Sequence, residues 1–212
     1  MNPVSRNIYP VSGVILAGGK SKRFGGKVNK AFLLLENKPI IQWIIEKISP
    51  LLDEIIVVTN KEKEFKELPV KLVKDIYPGY GSLSGLHSGL FHAQNFYSFI
   101  CACDSPFIRP GLVNYLIKKK KKYDVVIPWL KSGQQPFCAL YSKNCLQPIV
   151  EVMGEKTNPK IIDFFAQVNV CKINETEIKK VDPQLISFFN INTWSDFKQA
   201  EILARKEKKK QV

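Results

Sequence analysis

Cations interleaved with paired glycines, directly after a short apolar run, are the first residues in this chain whose types and spacing could do chemistry. Val14 to Ala17 is the apolar run and Gly18-Gly19 ends it. Lys20, Lys22, Arg23, Lys27 and Lys30 follow, among Gly25 and Gly26. Glycine lets a backbone approach a ligand and turn its N–H groups toward it. Cations beside those N–H groups make a site for a polyphosphate. The spacing excludes two other phosphate loops. A Walker A loop ending in Gly19-Lys20-Ser21 requires glycine at residue 14, where the chain has Val14. The dinucleotide pattern G-x-G-x-x-G begins at Gly79-Tyr80-Gly81, but Gly85 falls one residue late.

Three further stretches carry polar groups at the ends of apolar runs. Asp75 leads into the loop Pro78-Gly79-Tyr80-Gly81-Ser82, which runs into a helix expected over about Leu83 to Ala93. Ser82 or Ser84 is expected to cap that helix, whose first N–H groups suit an anion or a polar base edge. Asp104 ends the apolar run from Tyr97, and Pro106 then forces the chain out of a sheet. Mg2+ is held by one or two carboxylates plus substrate phosphates, so one well-placed aspartate suffices. The alternative for Asp104 is a cap on the helix beginning near Pro110. Asn190 and Asn192, two apart at an expected strand end, face one side. Thr193 or Ser195 is expected to cap the last helix.

The elements that must position these groups alternate in type. Apolar, β-branched runs over Val11–Ala17, Ile55–Thr59, Val70–Val73 and the stretch from Tyr97 read as strands. Phe32 to Leu35 reads as a short extended run, and residues 131–135 as a turn. Pro39 opens a helix whose apolar face is Ile41, Ile44, Ile45 and Ile48. Further helices are expected over Pro110–Lys121, Asn144–Met153 and Lys160–Gln167, and strands over Val125–Ile127, Pro136–Tyr141 and Val170–Ile173. This rhythm predicts an α/β fold with a doubly wound, mostly parallel sheet. Ligands of such sheets sit beyond the carboxyl ends of the strands, which selects Gly18-Gly19, Asn60, Asp75 and Asp104.

Composition narrows the function classes. The 212 residues fit one domain, with a core over about residues 12–200 and a basic C-terminal tail. No apolar run approaches the roughly 20 residues that span a bilayer, and the first eleven residues carry no signal-peptide core, so a cytoplasmic protein without a membrane role is expected. Five cysteines show no C-x-x-C pair, and His87 and His92 do not form an i, i+4 zinc pair. The net charge of +13 is concentrated in Lys118 to Lys122 and the tail from Lys206. It is nearly all lysine with no interleaved aromatics, so no nucleic-acid partner is expected.

The segment Leu16-Ala17-Gly18-Gly19-Lys20-Ser21-Lys22-Arg23, with Gly25-Gly26 and Lys30, resembles the signature of molybdenum cofactor guanylyltransferases, the MobA family. The chain departs from it in a spacing one residue longer before Lys30 and in Asn29 where the signature has Asp. Asp75 with Pro78 to Gly85 resembles the family segment that holds the guanine base, with Ser82 in place of Pro. Cys103-Asp104-Ser105-Pro106 matches its Cys-Asp-x-Pro, and Gln135 to Tyr141 resembles a segment near the acceptor substrate. Asn190-Ile191-Asn192-Thr193 resembles its Asn-x-Asn-Thr, with Trp194 and Ser195 replacing Pro-Glu.

The resemblance implies a Rossmann-like nucleotidyltransferase fold in a single domain over residues 1–212. It implies Mg2+-dependent transfer of GMP from GTP to molybdopterin, releasing pyrophosphate. Arg23, Lys30 and Asp104 are then the catalytic residues, with Mg2+ on Asp104. Leu16, Ala17, Gly18, Gly19, Lys30, Asp75, Gly81, Ser82 and Asp104 contact the nucleotide, and Asn190 and Asn192 the acceptor. Cofactor-biosynthesis or acceptor proteins are its implied protein partners. A related CTP-dependent or sugar-phosphate enzyme, and a non-catalytic GTP-binding protein, stay open on the residues alone.

Overall fold

The apolar run Val11–Leu16 forms strand β1, covered on both faces as a run without polar alternation must be. The computed structural model describes residues 10–18 and 29–209. After β1 the described chain resumes with a 3-10 turn, Lys30–Phe32, where an extended run was expected from Phe32. The Asn29 side chain explains the difference, since it accepts the Ala31 N–H at 3.1 Å and winds the backbone. A two-stranded ribbon, β2 (Leu34–Leu35) and β3 (Lys38–Pro39), delivers the chain to helix α1 (Ile40–Ile48), with Pro39 at its N-cap.

The remaining elements are β4 (Glu54–Val58), α2 (Glu62–Phe65), β5 (Lys71–Val73), α3 (Ser82–His92), β6 (Tyr97–Ala102), α4 (Pro110–Lys119), β7 (Val125–Leu130) and β8 (Gly133–Gln134). They continue with β9 (Cys138–Ser142), α5 (Leu146–Glu155), β10 (Val170–Asn174), α6 (Glu175–Lys179) and α7 (Trp194–Lys209). Residues 131–135, expected as a plain turn, include β8. Gly133 takes a φ of 117° there, and β8 pairs back on β7. The stretch expected as a helix over 160–167 is a 3-10 helix, Ile161–Gln167. The strand expected to carry Asn190 and Asn192 does not form: a 3-10 turn, Ile186–Phe188, precedes them, and residues 189–193 are irregular.

The main sheet runs β10-β7-β9-β6-β1-β4-β5, with β8 attached to β7. Strand β9 is antiparallel to both neighbours, and the other pairs along that path are parallel. The sheet is therefore mostly parallel, as the sequence pattern predicts. Helices cover both faces. Ile15 of β1 packs with Ile44 of α1, Leu112 of α4 and Ala200 of α7, while Val14 packs with Leu86 of α3 and Ile149 of α5. The chain leaves β1 toward β4 and β5, then returns to place β6 on the other side of β1. That reversal opens a crevice beyond Leu16 and Ala102, the usual ligand position in such sheets.

Helix α3 lies against β1 at Gly89. A Cβ there would stand 2.4 Å from Val14 Cγ1, a stiff side chain with no exposure. Gly89→Ala is expected to destabilise the protein by about 1–3 kcal/mol, although alanine favours a helix over glycine by roughly 1 kcal/mol. A denaturant midpoint at or above the parent's would show that α3 can slide off β1 without cost.

Candidate functional site

Carboxyl ends of four parallel strands open into one cleft of about 670 Å³. Leu16, Ala17 and Gly18 come from β1, Asn60 from β4, Asp75 from β5 and Asp104 from β6. The loop before α3 contributes Gly79, Gly81 and Ser82. Lys30 enters from its 3-10 turn, Phe137 from the start of β9, and Asn190 with Asn192 from the irregular segment before α7. Two backbone bonds carry the sheet pairing past the strand ends: Ala17 N–H to Val58 O at 2.9 Å, and Cys103 N–H to Leu16 O at 3.2 Å. They fix Gly18 and Asp104 on the floor of the cleft.

Lys30 and Asp104 meet there across 74 positions of sequence. The Lys30 ammonium donates to Asp104 Oδ2 at 2.6 Å, to Asn192 Oδ1 at 3.2 Å and to the Ile191 carbonyl at 3.3 Å. The two charged side chains are 16% and 14% exposed, enough for a ligand to reach and too little for water to screen them fully. The pair excludes the alternative in which Asp104 caps a helix, since α4 starts from Arg109 with no side-chain cap. Asn29 supports Lys30 by capping the turn that carries it, and also donates to Glu64 at 2.6 Å.

The segment behind Lys30 is held by its own network. Ile191 N–H donates to the Asp104 carbonyl at 2.9 Å, and Ser105 Oγ donates to Asn190 Oδ1 at 2.6 Å. Asp196 Oδ2 accepts the N–H groups of Asn192 and Thr193, at 2.9 and 2.8 Å, while its own N–H donates to Thr193 Oγ1 at 3.1 Å. Thr193, rather than Ser195, thus caps α7. The Asn192 N–H holds the Asp196 carboxyl below the usual aspartate range, with Thr193 adding to the effect.

On the opposite wall Asp75 and Asn60 bind reciprocally. Asn60 Nδ2 donates to Asp75 Oδ2 at 2.8 Å and Asp75 N–H donates to Asn60 Oδ1 at 3.2 Å. The expected serine cap of α3 is absent. Gly81, with φ of 59°, starts the helix, and no side chain caps it. Ser84 lies within the first turn, where its hydroxyl donates to the Tyr77 carbonyl, and Ser88 Oγ accepts the Ile76 N–H at 2.8 Å. Both serines therefore tie down the loop. Gly85 keeps the helix close to the wall, since a Cβ there would lie 3.3 Å from Leu16 Cδ2.

Of the residues expected at a site, Leu16, Ala17, Gly18, Lys30, Asp75, Gly81, Ser82, Asp104, Asn190 and Asn192 all line this cleft. Gly19 and Arg23 lie outside the described residues. Cys103 and Phe137 also line the cleft but were not singled out as site residues. Both lie within segments that carry the family resemblance, Cys103 in Cys-Asp-x-Pro and Phe137 in Gln135 to Tyr141. Burial, with the Asp104 charge beside it, pushes the Cys103 thiol up to about 12.

Comparison with known proteins gives a consistent picture. Residues 13–170 match the MobA-like NTP transferase domain family. A "Molybdenum cofactor guanylyltransferase" of Desulfosudis oleivorans is 36% identical over 192 residues, 90% of this chain and 94% of that protein. A "Probable molybdenum cofactor guanylyltransferase" of Clostridium perfringens is 37% identical, covering 92% of this chain and 98% of its own. Among solved structures, the "Molybdopterin-guanine dinucleotide biosynthesis protein A" of Archaeoglobus fulgidus superposes with a TM-score of 0.80 at 29% identity. That match covers 92% of this chain and all of the other. The fold is thus the Rossmann-like nucleotidyltransferase type.

Proposed function

We propose, on the premise that this chain belongs to the MobA-like NTP transferase family, that it transfers GMP from GTP to molybdopterin and releases pyrophosphate. It is a nucleotidyltransferase in the molybdenum cofactor guanylyltransferase family. The observation that carries the finer reading is the Lys30–Asp104 pair, seated where β1 and β6 diverge and reachable from the cleft.

The reaction is attack of the acceptor's terminal phosphate oxygen on the α-phosphorus of GTP. A new P–O bond forms, the α–β bridging bond breaks, and the electron pair leaves with pyrophosphate. Positioning and charge neutralisation do most of this work. Lys30, together with Arg23, would hold the β- and γ-phosphates and the charge that develops on the leaving group. The Ala17, Gly18 and Gly19 amides would lie along the phosphate chain, and Asp75 with the loop to Gly81 and Ser82 would read the base or ribose. Phe137 lines one side of the cleft.

The donor set suits Mg2+. Among the described residues no cluster of three or more His, Cys, Asp or Glu could cage a metal. A lone carboxylate beside a phosphate site fits a hard cation that takes the rest of its ligands from substrate and water. Asp104 would hold it. When bound, Mg2+ would supply Lewis-acid stabilisation of charge on the transferring phosphoryl group. Lys30 pairs with the Oδ2 of that carboxylate and would turn to the phosphates when the cation binds. No helix among the described residues is long and apolar enough to cross a membrane.

Thermal stability with Mg2+ and each of GTP, CTP, ATP and UTP tests the reading. GTP at about a hundred times its dissociation constant should add roughly 2.7 kcal/mol, seen as a raised midpoint. The other three should shift it far less. A shift with CTP instead would keep the fold and reaction and change the product, and no shift with any nucleotide would overturn the proposal.

A further inference from the structure

Helix α2 grips the turn that carries Lys30 at two points. Asn29 Nδ2 donates to Glu64 Oε2 at 2.6 Å, and the Phe32 and Phe65 rings meet at 4.9 Å and 55°. We infer that Glu64 is a positioning residue for guanylyl transfer, acting through Asn29 to hold Lys30 against Asp104. The inference rests on the guanylyl-transfer reading and names what aims its catalytic lysine.

The turn cannot aim the lysine by itself. Lys30–Phe32 is a single 3-10 turn of three residues, a form with poor hydrogen-bond geometry, so outside contacts set its place. Asn29 supplies two of them from one side chain. Its Oδ1 accepts the Ala31 N–H at 3.1 Å and sets the shape of the turn, while its Nδ2 reaches Glu64 and sets where the turn stands. A hydrogen bond to an ionised partner is the stronger kind. The Asn29 amide holds the Glu64 carboxyl below the usual glutamate range, which keeps it ionised at neutral pH. Lys61 holds the other carboxylate oxygen, Oε1, at 3.3 Å.

The anchor is itself fixed. Phe65 is fully buried. Ahead of α2, Lys61 N–H donates to Thr59 Oγ1 at 3.1 Å, and Thr59 N–H donates to the Val73 carbonyl at 2.9 Å, which ties the helix to the sheet edge of β4 and β5. Glu62 adds an ion pair with Lys74 at 3.0 Å. The polarity of the contact matters as well. Ionised Glu64 only accepts, so its partner must donate. Asparagine has an acceptor for the Ala31 N–H and a donor for Glu64. Aspartate at the same place would keep the cap and set two carboxylates face to face.

The test uses the full chain with GTP, Mg2+ and molybdopterin as substrates. Asn29→Asp should lower kcat about tenfold, the scale of a catalytic group moved off its place. The KM for GTP and the thermal midpoint should stay at the parent's values, because the cap remains. Glu64→Ala removes the anchor without adding a charge and should lower kcat about threefold. The double variant, Asn29→Asp with Glu64→Gln, exchanges donor and acceptor: the new amide donates to the new carboxylate, and kcat should return to within about twofold of the parent's. A parental kcat in either single variant overturns the positioning role while guanylyl transfer stands. A double variant as slow as Asn29→Asp overturns it too, because the loss then comes from the added charge beside the phosphates. A thermal midpoint that falls in step with kcat makes the effect one of folding and likewise overturns it. If the parent performs no GTP-dependent transfer, the functional reading falls first and the positioning role with it.

Discussion

Alanine in place of Asp104 is expected to abolish guanylyl transfer, with a loss of about a thousandfold or more, while the protein keeps its fold. The magnitude follows from removing the one carboxylate at the junction of β1 and β6 that could hold a divalent cation, whose charge stabilisation is worth several kcal/mol. The fold should survive for a specific reason. The tie from this position to the segment before α7 is made by its main-chain carbonyl, which accepts the Ile191 N–H at 2.9 Å. What is lost with the side chain is the pair to Lys30, in a cleft that water enters. Asp104→Asn separates charge from shape: it should still bind GTP in its cleft and still fail to transfer. Single-turnover transfer and thermal stability, measured on the same preparation, check both halves. A fully active alanine variant would remove Asp104 from the metal site.

Loss of Lys30 should cost on the order of 2–4 kcal/mol in the transition state, the range for deleting a key charge-stabilising donor. That is roughly a hundredfold to a thousandfold in transfer rate. The argument is geometric. Lys30 holds Asp104 at 2.6 Å, so in the free protein the ammonium sits on the carboxylate proposed to hold Mg2+. Lys30→Ala should therefore do two opposite things, slowing transfer while tightening Mg2+ binding in the absence of nucleotide, because the competing ammonium is gone. Rate against GTP concentration and Mg2+ titration of the free variant separate them. An unchanged rate would take Lys30 out of the reaction.

The sequence is most informative where a single local rule decides the structure. Strands β1, β4 and β6 are legible because sheets buried on both faces demand unbroken apolar runs, and Asp75 and Asp104 are legible because they follow such runs. The turn at Lys30 is less so. It depends on the Asn29 side chain reaching Ala31 N–H, and a substitution read as a departure from a signature proves to be a cap. Asn190 and Asn192 lie in the cleft as expected, yet without the strand that was expected to aim them. Their placement comes from Ser105, Lys30 and Asp196, contacts distant in sequence or, for Asp196, made by the cap of the next helix. The pairing of Lys30 with Asp104, 74 positions apart, carries no spacing signal at all. Strand β8 was equally hidden, since residues 131–135 show a turn in sequence and only the hairpin pairing of Gln134 with Trp129 makes it a strand.

One of the three groups that hold the Lys30 ammonium is the Ile191 carbonyl, and the neighbouring N–H of the same residue holds the Asp104 carbonyl. Main-chain groups survive every substitution but proline, which would remove the N–H. The side chain at position 191 is free of any polar duty and answers only to its complete burial. Exchange of Ile191 for valine or leucine should leave the Lys30–Asp104 pair aligned. The asparagine next to it, which contributes through its side chain, has no such immunity. The Lys30 ammonium is thus held twice at the same spot, once by the Asn192 side chain and once by a main-chain carbonyl that any residue at 191 would present.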